Sequence, residues 1–178
     1  MLEAVSVVFA VLIALGVDEW RENRQYQELA ERALGTIQAE LAANREELAS
    51  SMEANRTLRD RVSEAARDTV LPEDFNINYE YSLVSSSAWE TAQVTQATQF
   101  MDLERVQRLA RIYNLQGLFV TSQDHVMDFI LGIGEVAEQN PERIPRLMRG
   151  RLTNAVGMQE LLIAAYDSTL VSLGEAAR

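Results

Sequence analysis

Residues 2–17 are apolar apart from Glu3 and Ser6, and the polarity reverses within one turn at Asp18-Glu19-Trp20-Arg21-Glu22-Asn23-Arg24. A helix needs about 20 residues to cross the ~30 Å hydrocarbon layer of a bilayer. The stretch from Met1 to Trp20 supplies that length at a rise of about 1.5 Å per residue. A Trp set among mixed charges suits a membrane interface, because the indole is half apolar and half hydrogen-bonding. The pattern therefore predicts a retained single-span transmembrane anchor over 1–20, with Trp20, Arg21 and Arg24 at the membrane interface. A secretory leader is the competing pattern, since Ala14-Leu15-Gly16 resembles a cleavage site, but no basic segment precedes the apolar core. Glu3 lies near the end of the run, where it is expected to reach the headgroups.

Beyond the collar, small or apolar residues recur alternately three and four apart at Ala30, Leu34, Ile37, Leu41, Asn44, Leu48, Ser51, Asn55, Leu58, Val62 and Ala65. This is a heptad-like seam interrupted by three polar positions. With Leu, Ala, Glu, Arg and Gln predominating, it predicts one long helix over 21–70, continuous with the anchor. Asn44 and Asn55 are expected at exposed positions, with a register-setting role as the alternative. Residues 71–85 hold Pro72, paired asparagines and several aromatics, and read as an extended connector whose aromatics cover a bundle end.

Helical spacing resumes near Ser86-Ser87-Ala88-Trp89-Glu90, with Ser86 or Ser87 as the cap and Trp89 as an aromatic core residue. Asp102 is placed to cap the next helix, whose inner face is expected to carry Leu103, Val106, Leu109, Ala110, Tyr113 and Leu115, with an interruption near Gly117. Asn140-Pro141-Glu142-Arg143-Ile144-Pro145 marks a turn and a Pro-started helix bearing Leu147, Leu152, Val156, Leu161, Leu162, Ala165, Leu170, Val171 and Leu173. The expected fold is all-α: a single transmembrane helix leading into a long helix and an extramembrane bundle of about four helices. The remaining bundle helices occupy 86–178.

A net charge of −11 over 178 residues makes nucleic acid an improbable partner. It also favours a domain standing off an anionic lipid surface. The absence of cysteine removes disulfides, thiolate zinc sites and iron–sulfur ligation. His125, the one histidine, is flanked by Asp124 and Asp128, but di-iron bundles need Glu-x-x-His pairs from two helices. His125 is expected at the surface or core edge, and no metal or cofactor is expected. Neither a nucleophilic triad nor a glycine-rich phosphate loop can be assembled, so the chain does not read as an enzyme. Arg143, Arg146, Arg149 and Arg151 form one basic cluster, either a solvated face or a docking patch for an acidic partner.

Val11-Leu12-Ile13-Ala14-Leu15-Gly16-Val17-Asp18-Glu19-Trp20-Arg21-Glu22 and Ser87-Ala88-Trp89-Glu90-Thr91-Ala92-Gln93 together resemble two recurring segments of a family of uncharacterised bacterial single-span membrane proteins. Such proteins pair an anchor ending in a D-E-W-R-E-type collar with a helical extramembrane domain. The resemblance carries no activity. It implies N-inside insertion in the bacterial inner membrane and a periplasmic domain, whereas Arg21, Arg24 and Arg32 after the span, taken alone, argue for the opposite orientation. The expected role is a non-catalytic accessory subunit that docks on and stabilises a larger membrane complex, of respiratory or photosynthetic type. Its partners would be the bilayer and the other subunits. The alternative is a single-span sensory or ligand-binding protein with an extracytoplasmic helical bundle.

Overall fold

The computed structural model describes the backbone of residues 2–68 and 76–176, and side chains at 17–67, 76–134, 136–138 and 140–174. The described residues are helical apart from an extended stretch at 76–86 and short turns. Helix α1 runs unbroken over Leu2–Asp68. Helix α2 (Ser87–Val94) is followed by a 3-10 turn, α3 (Leu103–Leu131), the short α4 (Ile133–Gln139), a second 3-10 turn and α5 (Ile144–Ala176). The side chains of the apolar run up to residue 16 lie outside the described residues. Among the described residues, no helix is long and apolar enough to cross a membrane.

The seam of α1 lies inside the bundle. Ile37, Leu41, Leu48, Leu58, Val62 and Ala65 are buried, and so are the three polar positions: Asn44 is 4% exposed, Ser51 4% and Asn55 1%. The expectation of exposed asparagines is therefore corrected. The cause is the extended segment 76–86, which lies along α1 and α3 and presents its peptide groups to their side chains. Asn44 donates to the Ser85 carbonyl and accepts from the Ser85 N–H, both at 2.8 Å. Asn55 makes the same pair with Glu80, both at 2.9 Å. Gln123 of α3 pairs with Ser82, donating at 3.1 Å and accepting at 2.8 Å. A carboxamide carries the donor and acceptor of a peptide group, so each of these side chains substitutes for a neighbouring β-strand.

This strap takes the place of a fourth long helix. Helix α5 packs against both α1 and α3, whereas those two share far less backbone proximity. The bundle thus has three long helices and a strap in place of the expected four helices. Residues 69–75, the first part of the connector, lie outside the described residues. Ile77 and Tyr79 pack along the core beside Leu58, Val62 and Phe129.

The polar residues divide the core into two. One apolar cluster holds Ile37, Leu41, Leu48, Trp89, Leu109, Phe119, Leu162 and Tyr166. The other holds Leu58, Val62, Val126, Phe129, Met148 and Leu152. Between them every long helix contributes buried polar groups: Ser51 and Asn55 from α1, Ser122 and Gln123 from α3, and Gln159 from α5. Gln159 donates to the Leu48 carbonyl at 2.7 Å and to Ser51 Oγ at 2.8 Å, and Ser51 meets Ser82 of the strap at 2.6 Å. A polar layer shared by three helices has partners only in one register, since any slip leaves buried amides unpaired.

Other expectations are met or corrected locally. Asp102 caps α3, accepting from the N–H groups of Glu104 at 2.9 Å and Arg105 at 3.2 Å. Leu103 is 68% exposed instead of facing inward, because the buried face of α3 is set by Leu109, Ile112, Tyr113, Gln116 and Phe119. Helix α3 passes Gly117 without interruption, and Leu147, Leu161 and Val171 of α5 are exposed. Neither Ser86 nor Ser87 caps α2 by its side chain. The acceptor at the Ala88 N–H is Glu40 of α1, at 2.9 Å.

Two stability effects follow from this packing. Asn55→Ala leaves the Glu80 N–H and carbonyl without their partner, at about 1–3 kcal/mol for each group that stays buried. Urea unfolding of the full chain should show the loss, and an unchanged midpoint would mean that the strap is not held there. Trp89, 7% exposed and stacked on Tyr113 at 5.5 Å, should cost about 3–5 kcal/mol when replaced by Ala, read in the same unfolding curves.

Candidate functional site: an exposed collar and an arginine face

Every described residue of α1 from 17 to 28 is exposed, and burial begins only at Leu29 and Ala30. This free stretch spans about 18 Å at the helical rise. Trp20 is 61% exposed, and the Arg24 guanidinium lies over its ring at 5.7 Å. Arg24 also reaches Glu28 one turn on, at 3.3 Å. Arg21 is exposed beside them. The collar residues expected at the interface are therefore together on a stretch of helix that the rest of the described chain meets at Tyr26, where the Phe100 ring stacks on it.

The four arginines of the second candidate site are not equivalent. Arg143, Arg146 and Arg149 lie on the exposed side of the second 3-10 turn and the start of α5. Arg151 turns onto α3, donating to the His125 carbonyl at 3.0 Å with its guanidinium 5.2 Å from the centre of the Phe129 ring. The basic face thus comprises three residues, and Arg151 ties α5 to α3. The face sits beside Leu58 and Val62 at the end of the bundle remote from the collar. By the rise of α1 that separation is roughly 60 Å.

His125 is exposed, and Asp124 accepts a hydrogen bond from the Tyr81 hydroxyl at 2.9 Å. Among the described residues, no group of three His, Cys, Asp or Glu is arranged to hold a metal ion.

Among the described residues, the titratable group with the most hydrogen-bond partners is absent from the sequence candidates: it is Glu40. Its carboxylate accepts from Ser85 Oγ at 2.7 Å, Ser87 Oγ at 3.0 Å, the Ala88 N–H at 2.9 Å and the Tyr113 hydroxyl at 2.7 Å. Burial acts to raise its pKa, but the hydrogen bonds from Ala88, Ser85, Tyr113 and Ser87 outweigh it and hold the pKa below the ordinary 4.5. Burial, with the Glu40 carboxylate second, pushes the Tyr113 hydroxyl up and keeps it a donor. Glu40 fastens the end of the strap, the start of α2 and the middle of α3 to one point on α1. No short-range pattern marks Glu40, whereas the buried amides of α3 carry one, a spacing of seven on its inner face at Gln116 and Gln123.

No family model, curated protein or solved structure matches this chain.

The depressed pKa of Glu40 has a definite sign. A carboxylate whose folded pKa lies below its unfolded value stabilises the fold above the unfolded pKa, and loses that contribution as pH falls through the folded one. Wild type should therefore melt above Glu40→Gln at neutral pH, and the gap should shrink as pH drops below about 4.5. Thermal melts of both proteins from pH 7 downward check this, and a gap independent of pH would remove Glu40 as the acid-sensitive tie.

Proposed function

We propose that this chain is a non-catalytic, membrane-anchored accessory subunit that docks on a larger bacterial membrane complex and stabilises it. The observation that carries the proposal is the form of α1: a single helix begins in the apolar run, passes through an exposed collar and becomes a principal helix of the bundle. A rigid rod of this kind fixes the height and direction of whatever it carries. Anchoring at 1–20 agrees with the apolar run and with Trp20, Arg21 and Arg24 at its end. A periplasmic domain is what the resemblance to single-span bacterial proteins implies, and the proposal adopts it.

A lone apolar helix gains little by leaving lipid for other apolar helices, so the span by itself is a weak specifier of partner. Specificity then falls to the collar and to soluble contacts. Arg143, Arg146 and Arg149 offer the basic face for an acidic partner surface. A partner meeting both the collar and this face has an extramembrane part reaching roughly 60 Å from the bilayer. The buried amides and Glu40 are committed to holding the strap, which supports a scaffold role over a catalytic one.

Extraction in mild detergent followed by affinity capture and mass spectrometry tests the proposal. Wild type should bring down the subunits of one complex, and Arg146→Glu with Arg149→Glu should lose them in a salt-dependent way. If the protein runs alone and changes conformation on adding a small molecule, the sensory alternative replaces the accessory one.

A further inference from the structure

The exposed apolar residues are unevenly spread. Twelve large ones are exposed among the described residues, and six of them lie at the collar end: Val17, Trp20, Tyr26, Val94, Phe100 and Leu103. The others are scattered singly along the bundle, as on any soluble surface. The last three of the six come from one ten-residue stretch that closes α2, makes the first 3-10 turn and opens α3. Val94 is 83% exposed and Leu103 68%. The chain turns between them through Gln96, held in the left-handed region at φ 60°.

The height of this shoulder above the collar is fixed. The Phe100 ring stacks on Tyr26 with centroids 4.2 Å apart and planes 4° from parallel. Tyr26 stands six residues beyond Trp20, about 9 Å along the helix. The headgroup layer of one leaflet is about 5–7 Å deep. Transmembrane helices tilt by about 20° on average, and neighbouring helix axes lie about 8–10 Å apart. Tilt toward the shoulder therefore lowers it by a further 3 Å or so, which brings it into reach of the headgroups.

Charge agrees with such a contact. Arg105 and Arg108, on the first turns of α3 beside the shoulder, line a surface recess of about 160 Å³ together with Thr169 and Ser172. Neither arginine takes part in a described ion pair. Asp102, also at the recess, turns its carboxylate to the helix N–H groups, which leaves Glu104 as the opposing charge. Apolar side chains flanked by arginines are the pattern of a surface that rests on lipid, with the arginines toward the phosphates.

We infer that the collar end of the bundle rests on the bilayer surface, with Val94, Phe100 and Leu103 against the lipid and Arg105 and Arg108 toward the headgroup phosphates. This rests on the proposal that 1–20 is an anchor. It replaces the expectation, drawn from net charge alone, of a domain standing clear of the membrane. The domain then leans toward its 3-10 turn at a fixed angle, and its remote arginine face is presented in one direction.

The chain has no cysteine, so single-cysteine variants can be spin-labelled without a background. Full-length Val94→Cys, Leu103→Cys, Trp20→Cys and Leu131→Cys are labelled and placed in bilayers of phosphatidylethanolamine and phosphatidylglycerol. Leu131, 79% exposed at the remote end, is the aqueous reference. The ratio of collisions with oxygen to collisions with a water-soluble nickel chelate reports lipid contact. At 94 and 103 it should exceed the ratio at 131 several-fold, and Arg105→Glu with Arg108→Glu should lower the value at 103. If 94 and 103 match 131 while 20 reads lipid, the leaning contact is wrong and the anchor stands. If 20 also matches 131, the anchor itself is wrong.

Discussion

An extended stretch of backbone buried against helices needs a partner for each peptide N–H and carbonyl that water no longer reaches, and the rest of this fold depends on how that need is met. Helices satisfy their own peptide groups and have none to spare for a strap. Here the partners are carboxamides at Asn44, Asn55 and Gln123, each making both bonds to one residue of the strap. Because the amides sit on α1 and α3, they set the spacing between those helices. Helix α5 then closes the open side, with Gln159 and Tyr166 reaching across to Ser51 and Gln116. Without the strap, α1 and α3 would border a trench lined by amides, which apolar packing could not close.

The same arrangement determines how the core is divided. Two apolar clusters lie on either side of a polar layer to which all three long helices contribute. An apolar replacement of similar shape can match or exceed such a layer in raw stability, but it would let the helices slide by a heptad. Exposed ion pairs reinforce the pairing of α1 with α5, at Arg45–Asp167 and Arg56–Glu160, each 2.9 Å. Pairs this open to solvent contribute little, because water and salt screen them. The buried amides and Glu40 are the stronger determinants of register.

Fixing the bundle so firmly to α1 has a consequence for the proposed role. The bundle has no loop on which to swivel against the proposed anchor, because α1 is helical throughout Leu2–Asp68. Its orientation is then a property of one helix and of whatever meets the exposed stretch at 17–28. In the proposed assembly, contact at the shoulder and contact at the arginine face are separated by about half the length of α1, roughly 50 Å. Small changes in tilt at the collar move the remote end by many ångströms. An accessory subunit built this way holds a distance and a direction.

The helical class, the Asp102 cap and the seam from Ala30 to Ala65 were legible in the chain, because each depends on local propensity or on a short period. The polar members of that seam were visible too, but their meaning was not. An asparagine at a seam position reads as exposed unless its partner is known, and the partner of Asn55 lies 25 residues away, that of Asn44 41. The polarity reversal beside Trp20 is a local signal, and the exposure of residues 17–28 is what the structure adds to it. Only the tertiary structure showed that Arg151 leaves the arginine face, that Leu103 is exposed, and that Glu40 holds the start of α2 in place of the two serines. Those outcomes turn on which side chains meet across the bundle, and contacts between residues distant in sequence leave no periodic trace in the chain.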